Sequence, residues 1–309
     1  MNDMPIGVSA HRNLTRKAID SADFLEIKKI STDEVKHFRA DGKKPLYFHI
    51  QYTAEGEYYM PTITDFSPAL PQLRAAFEMA SPRLMSLHFG LSARSITIDE
   101  DNFMAVACDE VLDKTEITQN LENNLRLLKS SFPRTKLLVE NVEFIPEALS
   151  FGAYRYVQEA RFFTQHVIKW IDMGIIDGIV FDIAQALIAA GNHPFYNGLD
   201  TDPLDTDEEY VSRLKEKTLL LEYFERYISQ LPLSAVEEIH ISGISRFSSG
   251  VWVDSHKQVG EKELKALAFL LEKLKALGKE PVPITLEYTR KPGLIPRQID
   301  QIHAVCEGT

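Results

Sequence analysis

The chain has 309 residues, enough for one large α/β barrel or two ordinary domains, and its 44 % hydrophobic and 26 % charged content is that of a common globular protein. A formal net charge of −11 argues against a phosphate-backbone partner, and no apolar run approaches the roughly 18–20 residues of a membrane span. Cys108 and Cys306 form no CxxC pair and the N-terminus lacks a signal-peptide pattern, so no disulfide framework is expected and the cytoplasm is the expected compartment.

Strand and helix signals alternate along the chain, which predicts parallel βα units. The first strand is PIGVSA (5–10), followed by a short helix at 13–21 and a second strand, DFLEIKKI (23–30). A short helix then begins after Ser31 as N-cap, with Glu34 as its capping-box partner and Gly42 as its stop. LYFHIQY (46–52) is the third strand; a loop and a helix near 70–80 lead to RLMSLHFGL (83–91), the fourth. A Ser-, Thr- and Asp-rich stretch (92–103) precedes a helix at 113–131 and the fifth strand, KLLVENVEF (136–144). Residues 151–174 carry large apolar side chains at helical spacing and stop at Gly174, predicting one helix.

GIVFDIA (178–184) is the sixth strand, followed by an acidic loop and a helix through about Tyr227. VEEIHISGI (236–244) is the seventh, with the loop SRFSSGVWVDSH behind it. A helix at 261–278, the eighth strand PITLEYT (283–289) and a helix at about 295–305 complete the chain. Eight strands with helices between them predict a (β/α)₈ TIM barrel, and no Gly/Ser- or Pro-rich linker divides residues 1–309, so one domain is expected.

Six of the strands carry a His or carboxylate near their C-terminal ends: His49, His88, Glu140, Asp182, His240 and Glu287. Alone, a strand-end His is ordinarily a hydrogen-bonded structural residue, and a buried carboxylate ordinarily has a salt-bridge partner. Together at the mouth of one barrel they point to a metal site, because several carboxylates buried in one place need cations. Asp254 and His256, two apart in an extended segment, point to the same side and can face one ion. This His and carboxylate set without thiolate suits iron, manganese or zinc. It is larger than one ion needs, and a bridging carboxylate would let two or three ions share it. Asn141, His193 and Arg290 are the candidates for substrate contact, a plain loop-surface role being the ordinary reading of His193.

The runs LYFHIQY, LMSLHFG, LLVENVEF, VFDIAQALIAAGN, EIHISG, VDSH and ITLEYTR resemble the multinuclear non-heme iron-dependent oxidative enzymes, a family that includes the methanobactin biosynthesis oxidase. The resemblance implies a TIM barrel related to xylose isomerase, holding two or three iron ions. It implies that His49, His88 and Glu140 hold one ion and that Glu140, Asp182, His240 and Glu287 hold a second. Asp182, Gln185, Asp254 and His256 would surround a third. The family typically has Asn or His where this chain has Gln185, and many members have a second His where it has Ile244. The implied activity is O2-dependent oxidation of cysteine residues in a ribosomally made precursor peptide, with a separate leader-peptide-binding partner protein in many cases. The competing expectation is a divalent-metal (zinc or manganese) isomerase- or endonuclease-like barrel enzyme, and a third is a catalytically silent scaffold.

Overall fold

The computed structural model describes residues 4–40, 44–52, 59–99, 104–214 and 220–309. The expected helix stop at Gly42 and residues 53–58 of the loop after the third strand lie outside these residues. Eight parallel strands close into a barrel: β1 (Ile6–Ala10), β2 (Leu25–Lys29), β3 (Leu46–Tyr52), β4 (Leu84–His88), β5 (Lys136–Glu140), β6 (Gly178–Asp182), β7 (Val236–Ile241) and β8 (Ile284–Leu286). Each pairs with its neighbours in chain order, and β8 closes on β1 through Ile6, Gly7 and Val8.

The two-residue period of a strand sorts the side chains. Leu25, Ile27, Phe48, Leu87, Val139, Ile179, Phe181 and Ile239 are buried in the main apolar core around the barrel. The opposite set lines the interior in three layers. At the base Leu84, Leu138 and Val180 pack with Tyr47, which stacks on Phe24 with ring centroids 4.2 Å apart. Gly7 makes room for that plug, since a Cβ there would lie 2.2 Å from the Phe24 ring. The middle layer is polar: Ser9, Glu26, Ser86, Glu238 and Thr285, all essentially inaccessible to water. The top layer carries the His and carboxylate side chains.

Around the barrel, Asp113 caps the helix Lys114–Ser131 in a full capping box with Glu116, and Ser31 accepts from the Glu34 amide at 3.2 Å. The single helix expected over 151–174 is instead confined to Ala160–Asp172. Phe151, Gly152 and Tyr156 all have positive φ, so the chain turns three times before a helix can start. Two antiparallel hairpins also replace expected loops: Ile96–Asp99 with Met104–Ala107, and Gly243–Arg246 with Trp252–Lys257. No helix among the described residues is long and apolar enough to cross a membrane.

Candidate metal centre

The C-terminal ends of the strands converge, as they must in a closed parallel barrel, and bring His49, His88, Glu140, Asp182, His240 and Glu287 into one cluster. Among the described residues, four sets of three each offer ligand atoms within 4.8 Å of one another: His49, His88 and Glu140; Glu140, Asp182 and His240; Asp254, His256 and Glu287; and Glu26, His49 and His240. The first two share Glu140, as expected of adjoining ion positions, and the third stands apart from them in membership.

Glu140 sits at the centre. Its Oε2 lies 3.4 Å from His49 Nδ1, 3.7 Å from His88 Nε2 and 3.5 Å from His240 Nδ1, while Oε1 accepts from the Gln185 side-chain amide at 3.0 Å. Asp182 ends β6 and caps the helix Ile183–Asn192, so Oδ1 accepts from the Gln185 backbone at 2.6 Å and leaves Oδ2 facing the cluster. Glu287 Oε1 lies 3.2 Å from His240 Nδ1 and pairs with Lys28 Nζ, and Oε2 lies 3.5 Å from His256 Nε2.

Asp254 and His256 reach the cluster from the second hairpin, where Asp254 Oδ2 lies 2.9 Å from His256 Nε2. The two do face the same ligand, Glu287, but not through extended geometry alone: His256 has φ +42, beside a register shift at Gly243. A Cβ at Gly243 would meet the Gln258 carbonyl oxygen at 2.3 Å, so glycine permits the bulge that aims this pair.

Several of these atoms are buried without a hydrogen bond: His49 Nε2, Glu140 Oε2, Asp182 Oδ2, Gln185 Oε1 and His240 Nδ1. Buried polar atoms are ordinarily satisfied, and a convergent set of orphaned imidazole and carboxylate atoms is what a metal centre supplies. The donor set therefore fits metal ions, with Glu140 placed to be shared.

Electrostatics lead to the same conclusion. Burial pushes Asp182 well above the usual carboxylate range, reinforced by Glu140 and Glu287, and burial pushes Glu140 up to about 7 despite His240 beside it. His240, although buried, is held well above its usual value by Glu26, Glu140 and Glu287. The metal-free fold therefore keeps protons near pH 7 that the unfolded chain has released. Folded-state values raised above the unfolded ones mean stability lost as pH rises through them. Burial drives His49 and His88 the other way, but that opposition acts only below about pH 6.5. We expect thermal unfolding in chelator to occur several degrees lower at pH 8 than at pH 6.5, and metal to abolish the difference; a metal-free Tm that rises over this interval would contradict it.

Above the cluster opens a cavity of about 870 Å³. Lys28, His88, Gln185, Asp254, His256 and Glu287 form its floor, Met60, Leu91, Ile98, Met104 and Val142 give it an apolar wall, and Arg290 and Glu143 stand at its side. Burial, with Asp254 nearby, pushes Glu143 up to about 7. Of the residues expected to touch substrate, Arg290 lines this cavity and donates to the Ser255 carbonyl at 2.7 Å. Asn141 is buried and clips β5 to β6 through the Asp182 backbone, at 2.9 and 3.2 Å. His193 is not among the lining residues: its ring is buried, Nδ1 accepts from the Phe195 amide and Nε2 lies 3.1 Å from Glu159. It caps the short helix Pro194–Asn197, where Pro194 fixes the turn, so the reach toward substrate expected of it is replaced by a structural part. Glu26, Lys28 and Glu238 join the barrel interior without a motif to mark them, each on the inward-facing beat of its strand.

The fold is a (β/α)₈ barrel, similar to those of xylose isomerase-like proteins. Among solved structures, a xylose isomerase-like TIM barrel protein from Mycobacterium smegmatis in complex with magnesium superposes with a TM-score of 0.55 at 12 % identity, over 100 % of this chain and 99 % of that one. A D-tagatose 3-epimerase-like protein does so with 0.54 at 17 %, covering 99 % of each chain. Endonuclease IV from Thermus thermophilus gives 0.51 at 16 %, over 99 % of this chain and 100 % of its own. No protein-family model and no curated protein matches the sequence.

Proposed function

We propose that the chain is a metal-dependent enzyme, working as a single domain, whose barrel mouth holds two or three ions. The observation that carries this is Glu140, one carboxylate oxygen set among three imidazoles, with orphaned ligand atoms on both sides of it. Within that reading we propose iron as the metal and O2-dependent oxidation of peptidyl cysteine as the reaction. The strand-end motifs support this choice, and so does the cavity, whose apolar wall suits peptide side chains. Iron bound there would supply redox chemistry and Lewis acidity. The chain's own residues would do the rest: Arg290 would position the substrate, Glu143 would hold or release a proton above the ions, and the wall of Met60, Leu91 and Met104 would exclude water. The expected partners are a Cys-bearing precursor peptide and a protein that presents its leader.

The activities of the structural neighbours support a second reading, a zinc-, manganese- or magnesium-dependent epimerase, isomerase or endonuclease. The net charge of −11 weighs against its DNA-directed form. Aerobic purification separates the two: iron and a visible charge-transfer band support oxidation, a colourless divalent ion supports the second reading, and a chain that takes up no metal sinks both.

The outer position is the most dispensable. Asp254 and His256 sit on a hairpin rather than on barrel strands, and their side chains are 14 % and 34 % exposed. Changing either to Ala should remove about one metal equivalent and leave the rest, and this ion should be the first lost to a gentle chelator. Loss of all metal in one step would mean that no separate outer ion exists.

A further inference from the structure

One buried carboxylate belongs only to the set that lies below the mouth. Glu26 lies on β2 one layer below the mouth, fully inaccessible. Its Oε2 is 2.9 Å from His240 Nε2, and its Oε1 is 3.5 Å from the Ser9 hydroxyl. The other carboxylate of this layer, Glu238, is 3.7 Å from the same nitrogen and has its near oxygen taken by the Thr285 hydroxyl at 2.8 Å. The two nitrogens of His240 therefore face different worlds. Nε2 points down at Glu26, and Nδ1 points up between Glu140 and Glu287, at 3.5 and 3.2 Å.

A buried carboxylate needs a donor, and among the described residues the His240 ring is the side chain that brings a nitrogen to Glu26, at 2.9 Å, a hydrogen bond that a small turn of the ring completes. A proton on Nε2 satisfies it. The Nδ1 lone pair is then left aimed at two carboxylate oxygens, an arrangement that needs a positive charge between them: a proton in the metal-free fold, a metal ion when one is bound. We infer that Glu26 is a positioning residue: it holds the proton of His240 on Nε2 and so makes Nδ1 the metal-binding atom. The inference rests on the metal-enzyme reading. A carboxylate behind a ligating imidazole fixes both ring orientation and tautomer and strengthens the ligand. Glu26 differs from the mouth residues in never touching the ion. The rival arrangement, in which Glu26 joins His49 and His240 as a ligand set of its own, predicts a different metal count.

The test loads the full chain with Co(II), alongside Glu26→Gln and Glu26→Ala. At saturating Co(II) both variants should bind as many ions as the unaltered chain. One ion should be held roughly 10–100-fold more weakly in Glu26→Ala, and less so in Glu26→Gln, whose amide oxygen still accepts from Nε2–H. The unaltered Co(II) form should show an exchangeable, strongly shifted imidazole N–H resonance from His240, displaced in the Gln variant and lost to exchange in the Ala variant. Gln is close to isosteric with Glu, so a folding failure of the Ala variant leaves the Gln result decisive. Loss of one full equivalent at saturation would make Glu26 a ligand, and unchanged affinity with an unchanged N–H signal would make it an inert buried carboxyl. Either result overturns the inference while leaving the metal-enzyme reading intact. An unaltered chain that takes up no cobalt sinks that reading first, and the inference with it.

Discussion

Glu140→Ala should strip more metal from the protein than any single histidine substitution. Its Oε2 is the atom nearest to three imidazoles at once, so its removal takes a ligand from the His49–His88 position and from the Asp182–His240 position together. We expect the loss of about two equivalents and of essentially all activity. His49→Ala should cost about one equivalent, since His49 serves the first position alone among the mouth sets. Gln185 adds to the effect in the mutant, because its amide loses the carboxylate it donates to and is left with both polar ends unpartnered. Metal analysis after desalting decides it: equal retention by Glu140→Ala and His49→Ala would rule out a shared carboxylate. Stability of the metal-free protein should fall less than the metal content, because the substitution also removes a buried charge that burial already disfavours.

The second large effect lies outside the cluster. Asn192 ends the helix that follows β6, and its fully buried side chain makes three hydrogen bonds. Its amide donates to the Phe144 and Trp252 carbonyls at 2.9 and 2.8 Å, and its oxygen accepts from the Trp252 amide at 2.9 Å. These bonds pin the hairpin that carries Asp254 and His256 to the barrel. Asn192→Ala removes all three and leaves backbone groups unpaired, a loss of about 2–4 kcal/mol, or a fall in Tm of roughly 5 °C. The same variant should weaken the outer ion while sparing those held by strand residues. An unchanged Tm, or an even loss across all ions, would show that the hairpin is fixed by other contacts.

Much of the barrel could be read from the chain because each strand is a short apolar run that ends on a polar residue. LYFHIQY matches its strand, Leu46–Tyr52, to the residue; most other runs were drawn too long, since nothing in GIVFDIA says that Asp182 already caps a helix. The mouth residues were visible for the same reason, as single polar letters in apolar surroundings, and the structure gathers them. The middle layer was missed because DFLEIKKI and VEEIHIS look like ordinary amphipathic strands. Their alternation places Glu26, Lys28 and Glu238 inside the barrel, a meaning it acquires only once both faces of the strand are known to be buried. The two hairpins escaped notice because their strands are short and mixed, and the false helix at 151–159 because left-handed turns at Phe151 and Tyr156 leave no mark in apolar spacing. His193, whose ordinary reading is a loop-surface residue, is instead a buried cap.

The plug of Phe24, Tyr47, Leu84, Leu138 and Val180 turns the barrel into a well with one opening. Whatever occupies the depth beside His49 and His240, where no side chain is accessible, has to leave past Asp254 and His256 at the rim. Ions held there would fill and empty in a fixed queue: the last in would be the first out, and an occupied rim would delay exchange of everything beneath it. Isotope exchange of the inner ions should accordingly slow when the rim is saturated, a kinetic memory set by five apolar side chains on the far side of the barrel from the chemistry.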